Sequence, residues 1–375
     1  MKKTFDFKKF STLIALFILF IILAIATKGD FLIPRNLTNL SLQISINALC
    51  AVGMTFVILT GGIDLSIGSI VALSGIIVGL SQVNLGWGEW GGLGSFMSLL
   101  LAILVGLLVG LINGLLITFF KIPPFVITLG MMVIAGGLAL IASNSSAISP
   151  MSDTFKNIAK GFLPLGPSSF LMLAISVLTL YFFYKKFLQH KEKKTTTSAY
   201  LSETVLISIS IIIPFYAYSS DRGIPIAVLI LSFVVLAALF ILHKLPLGRY
   251  IFAVGGNEEA AHLSGINVNK VKILAYLFMG LIAGLSGALL TSRLNSAAPT
   301  AGALMELDAI AAVVIGGTSL SGGSGSIVGS LIGATFIGTV NNGMDLLGID
   351  SNFQMVIKGF IIIVAVWSDS RTKYK

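Results

Sequence analysis

The stretch FMSLLLAILVGLLVGLINGLLITFF, residues 96–120, runs for 25 residues without a charge. A helix of that length rises about 37 Å, enough to cross the ~30 Å hydrocarbon core of a bilayer. Gly106, Gly110 and Gly114 recur every four residues within it, so they share one helix face and let a neighbouring helix approach closely. Similar apolar runs lie near 11–27, 40–60, 63–83, 124–143, 168–187, 203–219, 224–243, 271–292, 303–319, 326–345 and 353–368. With 96–120 they make twelve candidate spans. Of the 375 residues 56% are hydrophobic and only 10% charged, a balance that makes lipid, not water, the solvent for most of the surface.

Charge placement orients these spans. With the N-terminus in the cytoplasm, 17 of the 24 Lys and Arg residues fall inside, six fall outside and Lys358 lies near a helix. The positive-inside rule favours that arrangement, with both termini cytoplasmic. The weakest spans are 203–219, with Glu203 and Pro214, and 303–319, with Glu306 and Asp308; losing one alone would strand the basic tail outside. The run 11–27 follows Lys2, Lys3, Lys8 and Lys9 like a signal peptide, but no convincing small-residue cleavage site follows, and it reads as a retained first helix. The basic residues flank spans and do not interleave with aromatics, so the net charge of +9 does not indicate nucleic acid. Cys50, the single cysteine, reads as a packing residue.

Further ladders of small residues sit at Gly280 and Gly284 and at Gly325, Gly329 and Gly333. Asn113-Gly114 precedes Gly130 by sixteen residues, and Asn342-Gly343 precedes Gly359 by the same interval, the first hinge inside and the second outside. An inverted repeat would place them so. The fold expected is all-α, a polytopic transmembrane bundle of 10 to 12 helices in a single domain over 1–375.

Catalytic signatures are missing. The chain has no GxxxxGK[ST] phosphate loop, no HExxH and no GxSxG, and His190, His243 and His262 have no ligand spacing. Glu306, Asp308 and Lys358 keep an ion-coupled secondary transporter open as an alternative, because intramembrane charges are costly unless used.

One segment is too polar to cross and too rich in helix formers to be a simple loop: LPLGRYIFAVGGNEEAAHLSGINVNKVK, residues 245–272. Asn257 can cap a short helix through Glu258, Glu259, Ala260, Ala261, His262 and Leu263, with Gly265 as its stop. Held at the cytoplasmic surface, such a helix is either a docking element or a solvated connection.

GRY at 248–250 and GGNEEAA at 255–261 resemble the cytoplasmic coupling loop of the permease subunits of ribose, galactose and xylose ABC importers. GMTFVILTGGIDLSIGSIVAL at 53–73 and LDAIAAVVIGGTSLSGGSGSIVG at 307–329 match the same family, and the likeness runs from about 35 to 368. The resemblance implies a type II-like permease that pairs with a second copy, meets an ABC ATPase using ATP and Mg, and receives sugar from an extracytoplasmic binding protein. It implies that 244–270 is the coupling loop, in which Gly248, Arg249, Tyr250, Gly255, Gly256, Asn257, Glu258, Ala260 and Ala261 transmit ATPase movement. Glu258 would pair with a basic residue of the ATPase, and Ala260 and Ala261 would let the helix seat closely. A basic insertion at 185–220, together with SRLNSAAPTAGALMELDAIAA, looks most like xylose-type permeases and favours xylose over ribose, galactose or arabinose.

Two features stay open. Gly61 and Gly62 break a helix, and Asp64 can accept N–H bonds at the start of the next with Ser66 beside it, as scaffold or as substrate contact. Asn39, Gln43 and Asn47 line one face of the second span, and Asn113, Asn341 and Asn342 carry the same chemistry. Amides donate and accept, which suits passing hydroxyls or bonding between helices.

Overall fold

The computed structural model describes residues 7–177 and 212–373. The basic cluster expected at 185–194 and residues 203–211 of the seventh candidate span lie outside the described residues.

The described chain is a helical bundle with one two-residue strand pair. Six helices are long and apolar enough to cross a membrane. They are α2 (Pro34–Leu59), α3 (Ile67–Gly79, prolonged to Asn84 by a π turn), α4 (Gly91–Phe119, preceded by a short 3-10 turn), α5 (Pro124–Ala142), α9 (Ile226–Lys244) and α12 (Val268–Leu294). Shorter apolar stretches belong to α1 (Phe7–Ala26), α7 (Leu165–Val177) and α15 (Ser351–Lys373), while 212–220 forms α8. The 20-residue α14 (Ile327–Leu346) is made less apolar by Asn341 and Asn342. Burial separates centre from rim: 83% of the apolar window of α2 is buried, against 22% for α5 and α9. On those outer helices Phe233, Leu236, Phe240, Val133, Ile134 and Ile141 are exposed, a surface only lipid can solvate.

At the centre, α4 packs on α12 through its glycine ladder. A Cβ on Gly106 would stand 2.2 Å from the Gly280 carbonyl oxygen, and one on Gly280 would stand 2.2 Å from that of Gly106. Gly110 is as tight against Tyr276 O, and Gly284 against Ala102 O. The ladder thus brings backbone onto backbone, where lipid offers no hydrophobic drive and close packing must hold the helices.

The expected span over 303–319 is corrected. Only Met305–Ile315, α13, is helical there, about 16 Å long and too short to span. Leu304, in the left-handed region at φ 65°, and positive-φ Gly317 bound it. The chain still crosses: Ala297 bridges to Ile148 at one end of the bundle, Gly302 packs on Gly68 within it, and Gly316 packs on Gly329 beyond α13. An irregular strand followed by a half-helix makes the passage that a full helix was expected to make.

Two further elements had no counterpart in the sequence reading. Pro246–Gly256 forms α10, started by Pro246 in the first turn where its missing N–H costs nothing. The amphipathic α6 (Asp153–Lys160), capped by Ser152, buries Phe155 and Ala159 at the end opposite α10. Ser292 of α12 fixes it, its Oγ accepting from Ala159 N–H (3.0 Å) and donating to Phe155 O (2.8 Å). Beside it β1 (Phe162–Leu163) pairs antiparallel with β2 (Ile224–Pro225). The two Asn-Gly hinges lie at opposite ends: Asn113 bonds Ser66 beyond the end of α2, and Asn342 bonds Asn36 at its start.

Gly280→Val would drive a branched side chain into the Gly106 backbone, and overpacking of this kind costs about 1–3 kcal/mol or more. The variant should melt well below wild type in detergent, while Gly137→Ala on α5, where a Cβ meets open space, should match wild type.

Candidate coupling surface and translocation pathway

The segment 245–263 folds as a helix pair projecting from the bundle. Gly248 lets α10 turn back on α9, since a Cβ there would stand 2.1 Å from Leu242 O. Ile251 and Val254 are buried, whereas Arg249 and Tyr250 face outward. Asn257 ends α10 and caps α11 (Glu258–Leu263), its Oδ1 accepting from Ala260 N–H at 2.9 Å. This is the helix and cap read from the sequence.

Three details differ from expectation. Glu258 is already paired within the chain, its Oε2 2.7 Å from Lys272 Nζ. Ala261 is 4% exposed and seats α11 on the bundle, so only Ala260 of the two alanines faces out. Leu263, 80% exposed, joins Tyr250 as an apolar projection on the outer surface. Gly255 and Gly256 lie against the bundle at the end of α10. Neither Lys272 nor Leu263 was singled out in the sequence. Lys272 is the last residue of the segment 245–272, and its pairing with Glu258 fourteen residues earlier is set only by the fold.

The Gly61-Gly62 break is closed, with Gly61 exposed and Gly62 buried. Gly61, at φ 80°, donates its N–H to Ile58 O (2.9 Å) and Gly62 donates to Val57 O (3.1 Å), the Schellman pattern. Asp64 Oδ1 accepts from the N–H (2.8 Å) and hydroxyl (2.6 Å) of Ser66. Asn113 Nδ2 donates to Ser66 Oγ (3.0 Å), and Asp64, Ser66 and Asn113 are all fully buried.

The amides divide by partner. Asn342 and Asn36 exchange two hydrogen bonds, at 3.0 and 3.1 Å, tying α14 to α2. Asn341 Nδ2 donates to Asp308 Oδ2 (3.3 Å), which Lys358 Nζ also meets at 3.2 Å. Asn39, Gln43 and Asn47 are exposed or half-buried and have no side-chain partner among the described residues. Helix α13 packs on α2, and Met305 and Ala309 share a buried cluster with Cys50, one turn beyond Asn47.

Among the described residues no group of three His, Cys, Asp or Glu could hold a metal ion. A hollow between α1, α8 and α14 is lined by Phe17, Phe20, Pro214 and Leu331 with Thr335 as its hydroxyl, a lining suited to an acyl chain.

Long apolar helices, a central helix whose amides lack partners among the described residues and a capped helix pair at one end fit a multi-pass membrane transport subunit. Residues 36–366 match the family described as branched-chain amino acid transport system / permease component, and the chain belongs to that family. It is 43% identical over 364 residues to the ribose import permease protein RbsC of Bacillus subtilis (strain 168), covering 97% of this chain and 93% of that one. To the RbsC of Escherichia coli (strain K12) it is 38% identical, covering 96% and 93%. To the xylose transport system permease protein XylH of Escherichia coli (strain K12) it is 34% identical, covering 99% and 94%. No solved structure matches. The full-length matches bear out the permease resemblance and give no support to the ion-coupled alternative. Relatives named for ribose and for xylose both match, so the matches do not favour xylose over ribose.

Lys358→Met would leave Asp308 buried with its charge unpaired, and removing one partner of such a pair costs about 3–5 kcal/mol. Unfolding in mixed micelles should show that loss, and adding Asp308→Asn should recover most of it.

Proposed function

We propose that this chain is the permease subunit of an ATP-binding cassette importer that carries a pentose across the cytoplasmic membrane by alternating access. A separate ATPase binds ATP and Mg, a second permease copy completes the pathway, and an extracytoplasmic binding protein delivers the sugar. The α10–α11 element carries this reading: a capped helix pair seated on the end of the bundle, presenting Tyr250, Leu263 and Glu259, unpaired among the described residues, to a partner. The excess of Lys and Arg on that side makes it cytoplasmic, with both termini. The whole chain acts as one permease domain, 244–270 serving as its coupling loop.

Glu258 works here through Lys272, holding α11 in place by an ion pair, and Arg249, Tyr250 and Ala260 form the contact face. Asn39, Gln43 and Asn47 line the route, offering donors and acceptors without a committed partner. The pathway runs past the start of α13, since discontinuous helices form the transport site in many carriers. Asn113, Asn341 and Asn342 bond between helices and hold its walls. Ribose is the first substrate to test because the relatives named for it are more similar, with xylose second.

Proteoliposomes holding the permease, its ATPase and its binding protein should accumulate labelled ribose or xylose only with internal or external ATP on the α11 side. Glu258→Lys sets an ammonium against Lys272 and should abolish uptake while the protein still inserts and melts near wild type. Unchanged uptake by that variant would remove the coupling assignment.

A further inference from the structure

The two blocks that mark the helix breaks are copies of one pattern. Gly61-Gly62-Ile63-Asp64-Leu65-Ser66 precedes Gly68-Ser69-Ile70-Val71, and Gly316-Gly317-Thr318-Ser319-Leu320-Ser321 precedes Gly325-Ser326-Ile327-Val328. Each follows a helix that ends in a Schellman turn, set one residue later in the second block. As α2 closes in a Schellman turn at Gly61, α13 closes in one at Gly317 (φ 86°), with Gly317 N–H on Val314 O (2.9 Å) and Thr318 N–H on Val313 O (3.1 Å).

These two loops meet, and the end of α10 lies on their meeting point. Gly323 N–H donates to Leu59 O at 3.0 Å, joining the second loop to the end of α2. A Cβ on Gly255 would lie 1.8 Å from that same oxygen and 2.5 Å from that same nitrogen. Gly322 (φ 84°) faces Gly255 O and Gly61 N, and a Cβ on Gly323 (φ 71°) would lie 2.7 Å from the Gly256 backbone. Three backbone segments therefore touch with no side chain between them. Two residues on from Gly255 stands Asn257, the cap of α11.

We infer that the Gly255–Gly323–Leu59 contact is the joint through which movement of α10–α11 enters the pathway, and that Gly322 and Gly323 are positioning residues for transport. The inference rests on the docking role proposed for α11. Side chains absorb small shifts by changing rotamer, whereas backbone in contact with backbone must move together. A displacement of α10 thus reaches the end of α2, which carries the amide face, and the loop between α13 and α14, which hold Asp308 and Asn341. Both helix breaks are gripped at once, so the two walls of the route shift in step.

Hydrogen exchange on the native complex with its ATPase, with and without vanadate-trapped nucleotide, tests this. Amides at 59–62 and 319–323 should change rate by about tenfold together with those at 257–263. If 257–263 respond while both loops keep the rates of the free permease, the joint is wrong and docking stands. No response at 257–263 overturns docking and the joint with it. In proteoliposomes Gly323→Ala should raise ATP hydrolysed per sugar carried by about tenfold with the complex intact, a coupling-sized effect. Hydrolysis and transport falling in proportion would mark a merely structural glycine and overturn the assignment. Gly137→Ala is the control.

Discussion

Backbone contact between α4 and α12 is the constraint on which the remaining structure depends. Apolar side chains gain little by leaving lipid for a protein interior, so helix association in a bilayer rests on close packing and on polar bonds between helices. Gly106, Gly110, Gly280 and Gly284 supply the packing at distances no other residue allows. With that pair fixed, α12 becomes a 27-residue rod that reaches both ends of the bundle. Ser292 near its last turn holds α6, Lys272 near its first turn holds Glu258, and buried Tyr276 lies over the helix break at Gly62.

The amides inside the bundle then fall into two sets. Those with partners are joints: Asn36 with Asn342, Asn113 with Ser66 and Asp64, Lys358 and Asn341 with Asp308. Those without side-chain partners among the described residues, Asn39, Gln43 and Asn47, share one face of the most central helix, which packs on a half-helix that begins within the bundle. A transported sugar needs groups that are free to bond briefly, and that requirement separates the second set from the first.

Much of this was legible in the sequence because it is locally encoded. Length and hydropathy set α2, α4, α5, α9 and α12, glycine spacing set the α4–α12 face, and Asn257 with acids in the next turn set α11. What was not legible depends on distant partners. The run 303–319 looks apolar enough to span, yet glycines packed on Gly68 and Gly329 shorten its helix to 11 residues. Lys272 competes for Glu258 only once α12 folds beside α11, and no spacing separates Asn342, a joint, from Asn47, a free amide. For α6 a signal did exist, Ser152 before Asp153 and Phe155 four residues from Ala159, but it is a weak one between long apolar runs.

On the proposed reading this bundle is one part of an ATP-driven machine. Gentle detergent purification of the tagged chain from its native membrane, followed by mass spectrometry of what accompanies it, tests that most directly. Recovery of an ATPase in stoichiometric amount, lost when α11 is altered, is the result the account predicts. Isolation of the chain alone, repeatedly, from membranes in which it is actively transporting sugar, would contradict it.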